Sequence, residues 1–420
     1  MPAPVVHSSQ GGHTTVRWIH PLLSKQASEE SRSTGRRISL GHVTNACRKT
    51  LHILLLGFMA LCTLYAYNST TYPLFTRKNF VDDECVCQYK NISYDFCYHL
   101  PQNRSIKGRR FNCEIASHLE RLGLLTNRNT IDASEEVLPT PAFVTAMSEN
   151  HYQEGLTLIA NIRSHWPGQK ITIYDLGLSA ATLTALSSKC MVEVREFPFD
   201  RYPPYVRRLK QYRWKPLLIA MALQEFGAVW YMDTSVRWKK DRREVVYNEI
   251  TCRKIYGMRF LSLYGNTRES IMQCGKPAFM LHSPSGHSIF AVTNPGTYAY
   301  IPANIEAIKK EASMNHDASF AFVARTEDGA EILKWYVLCA LEKDCMAPPG
   351  AQLQCTFKDG RYKNYANCHR YDQSVINLIL SNSYGYDIRN YISSLGEEGA
   401  VISRSAASDL SERNFSCSSH

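Results

Sequence analysis

The apolar positions of this chain fall into three regimes. Residues 1–50 show little periodicity and are rich in Ser, Thr, Gly and basic side chains, which predicts a disordered cytoplasmic tail. Leu51–Tyr67 (LHILLLGFMALCTLYAY) is a continuous apolar run of seventeen residues without Asp, Glu, Lys or Arg. That length is the lower limit for a bilayer span and suits a thin membrane. Fifty residues precede it, too many for a cleaved signal peptide, so it reads as an uncleaved anchor. Arg48 and Lys49 lie just before it, and Asp82, Asp83 and Glu84 follow later. The positive side stays cytoplasmic, which predicts a single-pass type II orientation.

From Pro141 onward, short apolar runs alternate with stretches of helical spacing. Ala142–Met147 (AFVTAM) reads as a strand. Ser148 and Asn150 can cap a helix over His151–Trp166, which Pro167-Gly168 ends. Lys170–Tyr174 is a second strand, Ser179–Lys189 a short helix and Met191–Phe197 a third strand. Tyr212–Phe226 is a helix, with Pro216 near its first turn, where proline is tolerated. Ala228–Met232 (AVWYM) then reads as a fully buried strand running into Asp233. The order β-α-β-α-β-α-β with short connections predicts a parallel sheet. Beyond it the pattern loosens. Val245–Ile255 and Thr267–Cys274 read as helical, Gly275–Leu281 as a strand, and Asp328–Leu341 and Tyr371–Ser381 as helices.

Cysteine usage adds a compartment. Twelve of the fourteen cysteines follow the apolar run, an even number without zinc-type spacing, which predicts disulfides in an oxidising lumen. Four Asn-x-Ser/Thr sequons, at Asn68, Asn91, Asn103 and Asn414, lie on that same side and none on the other. Cys85, Cys87, Cys97 and Cys113 cluster with two of them, so residues 68–139 read as a disulfide-containing stem. The net charge of +10 is half contributed by the first fifty residues. Spread over the remainder, the excess is too dilute to argue for nucleic acid, and it is compatible with an anionic ligand.

The chemistry points to one strand end. Ligands of open α/β sheets bind beyond the carboxyl ends of the strands. Asp233 sits at such an end, with Thr234 and Ser235 behind it. A carboxylate and a hydroxyl two residues apart can hold a hard cation with bound phosphates; alternatively Asp233 caps the turn. Asp175 also ends a parallel strand, where it either meets a nucleobase or ribose or closes its own turn. Lys215 and Arg237 are candidates for neutralising a diphosphate, as is the basic run Arg207, Arg208, Lys210 and Arg213. Asp372 either caps the helix it starts or acts as a base. His369, three residues earlier, is a candidate metal ligand. No Gly-rich phosphate loop, no G-x-S-x-G elbow and no zinc-type His spacing occur, so dehydrogenase, kinase and hydrolase readings lack support.

The stretches FVTAMSENHYQEGL, ITIYDLGLS, YRWKPLLIAMALQEFGAVWYMDTSVRW, WYVLCAL and CHRYDQSVINLIL together resemble Golgi glycosyltransferases of the GT-A type. More narrowly, they resemble a nematode-rich domain family of unknown function grouped with nucleotide-sugar transferases. The resemblance covers roughly residues 140–395. It implies a GT-A-like (Rossmann-like) mixed α/β sheet with helices on both faces, behind a transmembrane helix and the stem, with 396–420 a flexible tail. It also implies a nucleotide-sugar donor, a UDP-sugar above all, and a glycan, glycoprotein or glycolipid acceptor in the Golgi lumen. In that type an Asp-x-Asp motif holds Mn2+ or Mg2+ against the diphosphate. Asp233 and Ser235 stand at those positions, and the second carboxylate is replaced by a hydroxyl. The later Asp-Gln pair matches Asp372 and Gln373 and implies that Asp372 faces the acceptor or the reacting sugar. The alternative is a non-catalytic luminal glycan-binding or scaffolding protein on a degenerate transferase fold, a reading that the missing carboxylate favours.

Overall fold

The structure is a computed structural model that describes residues 83–126, 129–133, 137–251, 276–358 and 360–417. The tail over 1–50, the apolar run 51–67 and the helix expected over Thr267–Cys274 lie outside the described residues. Among the described residues no helix is long and apolar enough to cross a membrane.

The described part begins with a hairpin of β1 (Val86–Tyr89) and β2 (Ile92–Asp95), followed by α1 (Ala116–Arg121). Two disulfides, Cys85–Cys97 and Cys87–Cys113, staple it. Next come β3 (Ala142–Met147), α2 (Tyr152–His165), β4 (Ile171–Asp175), α3 (Ala180–Ser187), β5 (Val192–Glu196), α4 (Trp214–Phe226) and β6 (Ala228–Met232). The ends match the local chemistry. Ser179 caps α3 by accepting from the Thr182 N–H, and Gly227, at φ 73°, ends α4 in the left-handed conformation that glycine tolerates. After β6 come β7 (Val236–Trp238), α5 (Arg243–Thr251), β8 (Phe279–Leu281), β9 (Pro284–Ser288), β10 (Met314–His316), β11 (Phe320–Ala324), α6 (Glu327–Leu341), α7 (Asp372–Ser383), α8 (Gly396–Gly399) and β12 (Ala400–Ile402).

The main sheet has six strands in the order β5-β4-β3-β6-β11-β8. The first four are parallel, as the alternation predicted. β11 runs antiparallel between β6 and β8, which makes the sheet mixed. Along β6, Val229 and Tyr231 enter one apolar layer, with α4, α6 and α7. Ala228, Trp230 and Met232 enter the other, with α2 and α5. Strand alternation thus buries both faces.

Two boundaries differ from the sequence reading. The cysteine-rich segment assigned to a stem shares one compact unit, Val81–His420, with the sheet. Its rings Tyr98 and Phe111 pack on Trp335 of α6, a contact with a partner more than two hundred residues away that no local pattern announces. Residues 396–420, expected to be a flexible tail, supply β12, which pairs with β7, and Cys417, bonded to Cys190. Cys339–Cys345 and Cys355–Cys368 are the other described disulfides.

The module docks through backbone. Arg109 N–H donates to Ala299 O at 2.7 Å, and a Cβ placed on Gly108 would lie 1.9 Å from Tyr300 O. Gly108→Ala therefore forces two main chains apart. We expect a loss of about 1–3 kcal/mol, read as a lower urea midpoint; an unchanged midpoint would mean that the seam is not held as described.

Candidate functional site

Three elements meet at the carboxyl end of β6. The strand delivers Asp233 on the same face as Val229 and Tyr231. The backbone then turns: Val236 N–H donates to Asp233 O at 3.0 Å, and Asp233 N–H donates to Ser319 O at 2.7 Å, just before β11. The Thr234 hydroxyl donates to the Glu154 carboxylate of α2 and fixes the other side of the turn. α4 brings Lys215 in its first turn. α7 brings Asp372 as its first residue, behind Tyr371, which is held at φ 44°, ψ −110°. A bulky residue at positive φ is strained, and such strain persists only where surrounding contacts enforce it.

Lys215 is the hub. Its Nζ lies 3.1 Å from Asp233 Oδ2, 2.7 Å from Asp372 Oδ2 and 3.2 Å from the Ala318 carbonyl. That uses all three ammonium donors. The Tyr212 and Tyr231 rings each stand 5.4 Å from the same nitrogen. The Tyr231 hydroxyl donates to Asp233 Oδ1. Exposure separates the carboxylates: the Asp372 side chain is 6% exposed and that of Asp233 24%.

Burial alone would lower the pKa of Lys215, but Asp233 and Asp372 outweigh it and hold the ammonium charged, above its ordinary value. One ammonium neutralises one of two carboxylates. Burial first, with Asp233 adding to it, raises Asp372 above the usual carboxylate range, against the pull of Lys215. Burial, followed by Asp233, also raises Tyr231, which stays a donor.

The remaining residues singled out in the sequence lie elsewhere or are occupied. Asp175 ends β4 on the opposite face, where its Oδ1 accepts the Gly177 and Leu178 N–H groups at 2.7 Å each, closing the turn. Ser235 is buried beside the turn, and its carbonyl accepts from Ser403 N–H. Arg237 donates to the carbonyls of Thr234, Val236, Glu154 and Ser405, so its guanidinium braces the backbone. His369 is fully buried. Its Nδ1 accepts from Asn294 N–H and its Nε2 donates to Met346 O, which leaves neither nitrogen for a metal. Burial pushes it down to about 4, so it is neutral. Arg213 donates to the carbonyls of Ala340, Glu342 and Lys343 and caps the end of α6. Two contributors escaped the sequence reading: Tyr231, inside an apolar run, and the Ala318 carbonyl, whose backbone role has no residue signature.

These donors do not fit a divalent cation. Hard cations take several oxygen ligands, most of them carboxylate or carbonyl. Here both oxygens of Asp233 are bonded, Ser235 is neutral and His369 is closed. Among the described residues, the one grouping of three Cys, His or acidic donors is Cys85, Asp95 and Cys97, where the cysteines form a disulfide.

A family model described as "Protein of unknown function (DUF1647)" matches residues 84–220, from the disulfide module into α4. No curated protein matches the sequence. Similar solved structures include the galactosyltransferase LgtC in complex with donor and acceptor sugar analogues, at 12% identity and a TM-score of 0.30, over 57% of this chain and 70% of that one. An active-site mutant of LgtC matches at 12% identity and a TM-score of 0.27, over 45% and 58%. The bifunctional glycosyltransferase WbbM matches at 13% identity and a TM-score of 0.32, over 60% and 39%. The similarity is of a low order, and the functional reading rests on the site.

Removing the ammonium leaves two carboxylates facing each other in a buried space. Lys215→Met is expected to cost about 3–5 kcal/mol at neutral pH. With its cation gone, Asp372 binds a proton more readily folded than unfolded. Stability of the variant therefore rises as pH falls through the folded-state value of Asp372 toward its unfolded-state value, and is lost as pH rises back through the folded-state value. Chemical denaturation across the acid range measures both. A variant as stable as the parent at neutral pH would refute the central role of Lys215.

Proposed function

We propose that the protein is a glycosyltransferase that moves a sugar from a nucleotide-diphosphate donor to a glycan acceptor, without a resident metal. The observation that carries this is the Asp233–Lys215–Asp372 cluster at the carboxyl end of the central parallel strand, the rim where open α/β sheets bind ligands. In the reaction the bond from the anomeric carbon to phosphate oxygen breaks, and the nucleoside diphosphate leaves with the electron pair. The acceptor oxygen bonds to that carbon and its proton passes to a carboxylate. Asp233, the more exposed acid, faces substrate. Asp372, nearly buried and raised, holds Lys215 in place. Lys215, bonded to both acids, lowers the negative charge of this rim from two to one.

The setting belongs to the same proposal. The disulfides and the luminal-side sequons support an oxidising compartment, and the run 51–67 supports a type II anchor, with the Golgi as the membrane. A second reading, a non-catalytic glycan-binding or scaffolding protein, draws on Ser235 in place of an acidic ligand and on the saturation of Lys215.

Thermal unfolding of the protein with UDP, GDP or CMP, with manganese or with a chelator, separates these readings. A nucleotide at about 100 times its dissociation constant adds roughly 2.7 kcal/mol. The expected result is a shift with one nucleotide, UDP first, that survives chelation and persists in Asp233→Ala, since that carboxylate takes the acceptor's proton and does not hold the diphosphate. A shift that requires manganese would overturn the metal-free part. No shift with any nucleotide, in a folded protein, would favour the non-catalytic reading.

A further inference from the structure

With Lys215 bonded to both acids, the rim at the end of β6 keeps one negative charge. A diphosphate arriving there needs cations from elsewhere. The stretch just before α7 supplies them. Residues 355–370, which include the Cys355–Cys368 disulfide, contain Lys358, Arg361, Lys363 and Arg370 against one acid, Asp359. Among the described residues, no side chain of these four makes an ion pair or a hydrogen bond. Main-chain bonds anchor two of them on one short spine. Ser288 N–H, at the end of β9, donates to Arg361 O at 2.9 Å, and Arg370 N–H donates to Val292 O at 3.2 Å. Phe290–Val292 is a 3-10 turn, so the two anchor points are roughly 8 Å apart at the rise of such a turn. Arg361 is exposed. Its guanidinium lies 4.7 Å over the Phe357 ring, which stacks on His287 at 5.8 Å. Arg370 is half-buried and stands two residues before Asp372, within about 7 Å along the chain.

We infer that Arg370 and Arg361 hold the diphosphate of the donor. The electrostatics agree with the chain geometry. Burial first, with Arg370 and Arg361 acting the same way, lowers His287 to about 4, against the pull of the Ser288 carbonyl and Asp317. Arg370 also acts on Tyr212, which burial and then Asp372 raise and whose ring stands 5.4 Å from Lys215 Nζ. Arg370 thus faces the rim on one side and His287 on the other. Asp317, the acid beside His287, is engaged: its Oδ1 accepts the Ser319 N–H at 3.3 Å and the Ser319 hydroxyl at 2.8 Å. Each guanidinium offers a planar fork that matches two phosphate oxygens, and neither is spent on a carboxylate or a carbonyl as Arg195 and Arg213 are. Resting on the transferase reading, the two arginines offset the charge on the nucleoside diphosphate as it leaves with the electron pair, a charge that the acidic rim repels.

The test is calorimetric titration of the intact protein, in chelator, with inorganic pyrophosphate, UDP, uridine and a sulfated heparan hexasaccharide. Pyrophosphate and UDP should bind, and uridine far more weakly than UDP. Arg361→Gln and Arg370→Gln should each weaken pyrophosphate and UDP about tenfold, the worth of one charge-assisted hydrogen bond. Lys240→Gln, an exposed position outside this stretch with the same change of charge, should leave both unchanged. Arg361 is exposed, so the unfolding temperature of its variant without ligand stays that of the parent, which separates loss of ligand from loss of fold. UDP binding undiminished in both arginine variants would sink the anion hold and leave the transferase reading standing. Pyrophosphate binding that the arginine variants lose, without any nucleotide binding, would keep the hold and sink the nucleotide donor. Heparan binding through the two arginines where pyrophosphate fails, or no binding of any anion at millimolar concentration, overturns the inference.

Discussion

A buried ammonium between two carboxylates constrains the rest of this structure. Taking three charges out of water costs several kcal/mol each unless geometry repays it. Lys215 meets that requirement with three hydrogen bonds, two to acids and one to the Ala318 carbonyl. The three bonds hold α4, β6, the approach to β11 and the start of α7 in one arrangement. Tyr371, strained at positive φ, fits here: the chain accepts an unfavourable dihedral so that Asp372 reaches the nitrogen.

The support around that hub is polar and largely main-chain. Arg213 lies two residues before Lys215 and is 1% exposed, with no carboxylate partner for its guanidinium among the described contacts. It donates instead to carbonyls at the end of α6, where the helix dipole is negative. Burial lowers it to about 10. The Cys339–Cys345 bridge closes the same loop. α4 is therefore pinned at its start to the end of α6, and α6 in turn carries the disulfide module on Trp335.

The sequence made the parallel half of the sheet legible, because Ala142–Met147, Lys170–Tyr174 and Ala228–Met232 are apolar runs with clear punctuation. β11 was not readable. Phe320–Ala324 is as apolar, but it follows an irregular stretch, and only its pairing with β6 and β8 makes it a strand. Asp233, Asp372 and Lys215 were each singled out for a separate role. That they form one cluster was invisible, since Lys215 and Asp372 are brought together by tertiary packing and not by spacing. Asp175, Arg237 and His369 carried the right chemistry for a ligand. Each spends it on backbone or a neighbouring side chain, which composition and spacing do not report. The cysteine cluster was read as disulfide-bonded, whereas its docking depended on Gly108 and Trp335, residues without a local signature.

The segment from Ala400 to Cys417 carries a consequence for how the protein is made. It pairs with β7, buries Phe415 to 5% exposure and receives Arg163 at the Ser416 carbonyl. These partners sit on the layer that covers the second face of the sheet, and all are synthesised well before it. While the chain is emerging, that face has its helices but lacks its closing strap. Residues 190 and 417 cannot be joined until translation has passed both. The first face, in contrast, has its disulfide module ready from the start. Biosynthesis thus leaves one side of the sheet waiting for its last piece, and it is in that interval that a chaperone or an oxidising partner would find this chain open.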